Sequence, residues 1–277
     1  MQQILLPTDF SQNAWNALRY ALNFFKAEPI TFHLLHIDTS QTAPEDEHLH
    51  TAGFAYKKES LAKMRKLEDL LVRIQTNFPN SNHKFEKAVI SSLFVTGIRN
   101  YVKDNSIDLI VMGTKGATGL KEITVGSTTG AVITKVKCSI IVIPEEASFK
   151  TPVNIGFPTD FNLLYKHKVI DTLLRIARVH NAFIKVLRVA QTQQPLDEFQ
   201  NRNRHYLKEH LQGVSHSFHV VENPNLEDAV QSFVTTMGID MIAMIAKNLN
   251  FFQRILFKPK VVRLSYHMQI PFLVLHE

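Results

Sequence analysis

The chain has 277 residues, 45% of them hydrophobic and 20% charged, which suits one large or two small globular domains and excludes a disordered, collagen-like or coiled-coil chain. No apolar run approaches the eighteen or so residues of a membrane span, the N-terminus lacks a signal-peptide pattern, and one cysteine, Cys138, allows no internal disulfide, so a cytoplasmic protein is expected. The net charge of +6 is uneven, with 16 Lys+Arg against 15 Asp+Glu over residues 1–146 and 15 against 10 over residues 147–277. The basic residues of the second half (Arg175, Arg178, Arg202, Arg204 and Lys208 among them) are scattered over helix patterns. They form no dense run with interleaved aromatics, so no nucleic acid is expected as a partner, and no membrane.

In chain order, ILLPT (4–8) is a short apolar strand, and Ser11 opens a helix in which Ala14, Leu18, Ala21, Leu22 and Phe25 recur at helical spacing. ITFHLLHID (30–38) follows as a strand, residues from about 57 to 77 as a helix, FEKAVI as a strand and SLFVTGIRNYVKDN as a helix. DLIVMG is a fourth strand, TTGAVITKVK a helix and SIIVIP a last strand. Continuous Val/Ile/Leu strands alternating with helices indicate a parallel sheet covered on both faces. Right-handed crossovers then give an open, doubly wound α/β domain whose ligands lie beyond the carboxyl ends of the strands.

The second half repeats the first. ILLPTDFS (4–11) matches IGFPTDFN (155–162), while NSIDLIVM (105–112) matches MGIDMIAM (237–244) at an offset of 132. At that same offset CSIIVIP (138–144) faces IPFLVLH (270–276). The expected domains are therefore 1–146 and 151–277, joined near EEASFKT, with the first copy's extra residues in the polar stretch after Thr39. Each copy ends in an apolar strand, and an uncharged edge strand needs a partner. Antiparallel pairing of residues 139–143 with 271–275, packing the copies as a pseudo-dimer, is expected.

Five of the ten glycines, Gly113, Gly116, Gly119, Gly126 and Gly130, fall in one segment, VMGTKGATGLKEITVGSTTGAVITK. Glycine at a strand end lets the backbone turn and a ligand approach without a Cβ in the way. Ser127, Thr128 and Thr129 then lead into a helix whose first-turn N–H groups and dipole favour a phosphate. A serine there also serves as a plain helix cap.

The spacing Gly, two residues, Gly, nine residues, Gly, Ser, carried by Gly113, Gly116, Gly126 and Ser127, resembles the universal stress protein family in tandem form, as do PTDFS and LLHID. That resemblance implies an adenine nucleotide alpha-hydrolase-like, Rossmann-like fold and ATP, with or without Mg2+, in the first copy. It places Asp9 near adenine and ribose, with Pro7 and Thr8 shaping the pocket and the backbone of Ile37 at the adenine edge. Met112 and Gly113 would line the base and ribose, and Gly116, Gly126, Ser127, Thr128 and Thr129 the phosphates, with Lys115 a solvent-side charge within reach of them. Gly130 departs from the family, standing where an acidic or amide residue is common.

The second copy lacks the motif: Ile245, Asn248, Lys258 and Pro259 stand where Gly113, Gly116, Gly126 and Ser127 stand in the first. Pro259 removes an N–H and Ile245 adds bulk. Asp160 remains as a turn residue, and Phe251, Phe252, Ile255, Leu256 and Phe257 suggest an apolar plug or contact surface. There is no GxxxxGK[ST], GxGxxG or GxSxG, and neither the histidines nor Cys138 form a metal-ligand pattern. Three readings remain: an ATP-binding stress-response regulator, a slow Mg-dependent ATPase, and a nucleotide-independent interaction scaffold. A protein partner is unspecified, and a homodimer of the two-domain chain stays open.

Overall fold

The computed structural model describes residues 1–40, 49–114, 127–190, 195–247 and 269–276. The chain divides into two compact units, Met1–Cys138 and Ser139–Glu277. In the first unit the order is β1 (Gln2–Pro7), α1 (Gln12–Phe24), β2 (Ile30–Asp38), α2 (Leu49–Asn77), β3 (His83–Ser91), α3 (Phe94–Asp104), β4 (Leu109–Gly113) and α4 (Ser127–Lys135). The strands lie in the order β3-β2-β1-β4, all parallel. Ile4, Leu5 and Leu6 of β1 and Leu109, Ile110 and Val111 of β4 are buried on both faces, as strands at the middle of a helix-covered sheet must be. The β3 edge is mostly half-buried or exposed instead. Ser11 caps α1, its Oγ accepting from the Ala14 N–H at 3.2 Å. Cys138 is buried, and its thiol donates to the Ile107 carbonyl at 3.6 Å.

The second unit contains β5 (Ser139–Ile143), β6 (Asn154–Pro158), α5 (His167–His180), β7 (Phe183–Ala190), α6 (Glu198–His210), β8 (His216–Glu222), α7 (Leu226–Met237), β9 (Met241–Ile245) and β10 (Phe272–Leu275). Its strands run in the order β8-β7-β6-β9-β10-β5. All neighbours are parallel except β10 and β5, which pair antiparallel with Phe272 opposite Val142, Leu273 opposite Ile141 and Val274 opposite Ile140. The antiparallel pairing expected of the two terminal apolar strands is thus present, and it draws β5 into the second unit.

Two sequence features, one repeated and one confined to the first copy, have structural causes. Asp108 accepts the Gln3 N–H at 2.8 Å at the start of β1, and Asp240 accepts those of Val153 and Asn154 at 2.9 and 3.0 Å at the start of β6. The Ile-Asp pair therefore satisfies an otherwise open strand start in each unit. Burial raises the Asp240 pKa, but the hydrogen bond from Lys150 and the two N–H groups outweigh it and hold it below the ordinary value. The extra residues of the first copy lengthen a helix: α2 has 29 residues and its counterpart α6 has 13. Helix α2 begins at Leu49 rather than near residue 57: its first residues, LHTAGFAYK, follow directly on the polar segment QTAPEDEH and read as part of it.

Candidate functional site

The carboxyl ends of β1, β2 and β4 meet at one mouth of the first unit. At β1, Thr8 is anchored by its N–H to the Leu35 carbonyl at 2.8 Å. Its Oγ1 accepts the Phe10 N–H at 3.0 Å, and Asp9 Oδ1 accepts the Ser11 N–H at 2.9 Å. These two short turns hold Phe10 at φ 63°, where it stacks on His36 with ring centroids 4.8 Å apart. His36 Nδ1 in turn donates to the Thr8 carbonyl at 2.8 Å. Asp9 stands exposed at the rim.

At β2, Ile37 is buried. Asp38, next to it, was not singled out from the sequence. It is buried, takes the Ser40 N–H and hydroxyl at 3.0 and 2.6 Å, and is ion-paired with Lys63 of α2. The Lys63 hydrogen bond, followed by those from Ser40, holds its pKa at about 2. An acidic residue ending a strand was the available signal, but its partner 25 residues on was not.

At β4, Met112, Gly113 and Thr114 are buried. A Cβ on Gly113 would lie 2.8 Å from Asn13 Oδ1 of α1, so this glycine is required by helix packing whatever else approaches it. Helix α4 starts at Ser127, and Ser127 and Thr128 are exposed in its first turn. They line a groove of about 460 Å³ together with Phe94, Arg99 and Lys135. Thr129 differs from expectation: it is buried, and its hydroxyl donates to the Gly113 carbonyl at 2.9 Å. That side chain faces the protein and ties α4 to the end of β4 rather than facing a phosphate. Lys115, Gly116 and Gly126 lie outside the described residues.

In the second unit, Thr159, Asp160 and Phe161 rebuild the same turn, with Thr159 Oγ1 accepting the Phe161 N–H at 3.1 Å, Asp160 Oδ1 the Asn162 N–H at 3.0 Å, and Phe161 at φ 59°. Asp160 is thus a turn residue, as expected. Ile245 is buried at the end of β9, where the first unit has Gly113. Asn248, Lys258, Pro259 and the Phe251, Phe252, Ile255, Leu256 and Phe257 cluster lie outside the described residues.

The sequence model of the universal stress protein family matches residues 1–144. The chain belongs to that family. It is 30% identical over 161 residues to universal stress protein MJ0577 of Methanocaldococcus jannaschii, covering 53% of this chain and 97% of the relative. With universal stress protein MJ0531 of the same organism it shares 27% over 149 residues, covering 51% and 81%. A solved universal stress protein from Archaeoglobus fulgidus matches with a TM-score of 0.67 at 16% identity, over 98% of this chain and 95% of its own. The universal stress protein fold therefore runs the length of the chain. No helix among the described residues of this universal stress protein is long and apolar enough to cross a membrane.

Proposed function

We propose that this universal stress protein holds ATP in its first repeat, residues 1–146, as a regulatory nucleotide-binding protein. The observation that carries the reading is the spacing Gly113, Gly116, Gly126, Ser127, with Gly113 at the buried end of β4 and Ser127 as the first residue of α4. In this reading the open N–H groups of the first turn of α4 take phosphate oxygens, aided by the Ser127 and Thr128 hydroxyls. Arg99 and Lys135, both lining the adjoining groove, add positive charge. Thr129 positions the helix through Gly113, while Pro7, Thr8, Asp9, the Ile37 backbone and Met112 frame the base and ribose.

Any Mg2+ would arrive with the phosphates. This reading offers Asp9 as a base and Lys115, Arg99 and Lys135 as cations, but no residue placed to orient an attacking nucleophile, so it is one of binding without efficient turnover. The second repeat, 151–277, is proposed to be structural or to meet a partner. Gly126→Val puts a side chain where a phosphate would lie. A loss of about 3 kcal/mol, roughly a hundredfold in Kd, is expected by calorimetric titration with ATP. Unchanged affinity in that variant would refute the assignment.

A further inference from the structure

The second unit carries a cavity of about 340 Å³ beside the carboxyl-terminal part of β7, the middle of β8 and α6, with Phe161, Arg188, Asn201, Arg204 and Phe218 in its lining. That volume falls in the range of roughly 300–1,000 Å³ typical of small-molecule sites. Its aromatic side is firmly held. Phe161 is buried and lies 6.4 Å from Phe218, with the rings 29° from parallel. Its carbonyl accepts from the buried Asn203 amide at 2.8 Å, and the neighbouring Asp160 carbonyl accepts from Gln200 at 2.9 Å. Arg204 lies over the Phe218 ring, 5.6 Å from its centroid.

Strand register shows what changed between the units. Pro7 pairs with Leu35 and Pro158 with Leu187, so Arg188 occupies the place of His36, and Ala190 that of Asp38. One strand further out, Leu35 pairs with Ala88 and Leu187 with His219, so Phe218 takes the place of Lys87. The first unit thus places a carboxylate, paired to Lys63, where the second places a methyl group. The second unit in turn places a guanidinium and a phenyl ring where the first has a histidine and a lysine. None of the described residues lining the cavity is acidic.

We propose that this cavity is a second ligand site, taking a small aromatic anion: a carboxylate or phosphate carried on an aromatic or heteroaromatic ring. The two guanidiniums would take the anion through charge-assisted hydrogen bonds, for which their planar forks suit both groups. The ring would lie against Phe218, where the aromatic face already accommodates a flat cation.

The test is calorimetric titration of the full chain with phenyl phosphate, and in parallel with cyclohexyl phosphate and inorganic phosphate. Phenyl phosphate should saturate at millimolar concentration or below and bind more tightly than either comparison compound. Arg204→Gln, a change at an exposed side chain, should weaken it about tenfold or more, as should Arg188→Gln, and Phe218→Leu should remove the preference for phenyl over cyclohexyl. Gly126→Val should leave it unchanged. No saturation up to roughly 20 mM would overturn the proposal. So would affinity insensitive to both arginine changes, or affinity lost in Gly126→Val.

Discussion

Asp38 is held by Lys63 on one oxygen and by Ser40 on the other, and its pKa of about 2 lies below the roughly 3.9 of an unfolded aspartate. A depressed carboxylate stabilises the folded state fully above the unfolded pKa, and the benefit is lost as pH falls through the folded one. Asp38→Asn should therefore lower Tm by roughly 3–8 °C at pH 7. The gap from wild type should close as pH drops from about 4 to about 2. Thermal melts followed by circular dichroism would show this; an undiminished gap near pH 2 would contradict it. Gly113 is a different residue-scale case, because packing alone accounts for the absent Cβ. Gly113→Ala should cost about 1–3 kcal/mol in urea denaturation. Adding Asn13→Ala should recover part of that cost, since the overlap is with the Asn13 side chain.

At the scale of elements, the junction of β4 and α4 rests on one buried hydrogen bond, from the Thr129 hydroxyl to the Gly113 carbonyl. Thr129→Val keeps the shape but leaves that carbonyl without its hydroxyl donor, at about 1–2 kcal/mol. Because the bond aims the first turn of α4, ATP affinity should fall severalfold alongside stability, read from the same protein by titration and denaturation. Helix α6 supplies the control. Its capping box joins Asp197 to the Gln200 N–H at 2.8 Å and Gln200 Oε1 to the Asp197 N–H at 3.1 Å. Asp197→Ala should cost about 1 kcal/mol of stability and leave ATP affinity untouched. A drop in affinity equal to that of Thr129→Val would mean that affinity simply follows stability.

At the scale of the whole molecule, the loss of the glycine motif from the second repeat predicts one ATP per chain. A titration returning two equivalent sites would refute it. The antiparallel pair of β5 and β10 is a second such feature. Ile141 is 1% exposed and stands opposite Leu273, so Ile141→Lys buries an ammonium and should cost at least about 3 kcal/mol. Combining it with Leu273→Asp should cost at least about 1 kcal/mol less than the sum of the two single changes. Strict additivity by urea denaturation would exclude the direct register contact.

The sequence by itself determined the parts whose causes lie within a few residues or recur. The Pro-Thr-Asp-Phe turn is written twice because Thr and Asp side chains close it locally, as Thr8, Asp9, Thr159 and Asp160 do. The alternation of strands and helices was readable because a strand buried on both faces needs an unbroken apolar run. The start of α2 escaped that reading because it follows directly on the polar segment 41–48 and contains Gly53, a poor helix former. Contacts between residues distant in sequence were decided only by the tertiary structure. Lys63 reaches Asp38 because a long helix lies beside β2, and the Thr129 hydroxyl becomes a tether because it lies on the buried face of α4, within reach of the Gly113 carbonyl. Arg188, Arg204 and Phe218 come from a strand, a helix and another strand, and no spacing in the chain announces them. Their meeting follows from the order in which parallel strands cross over, which places side chains by register rather than by sequence distance.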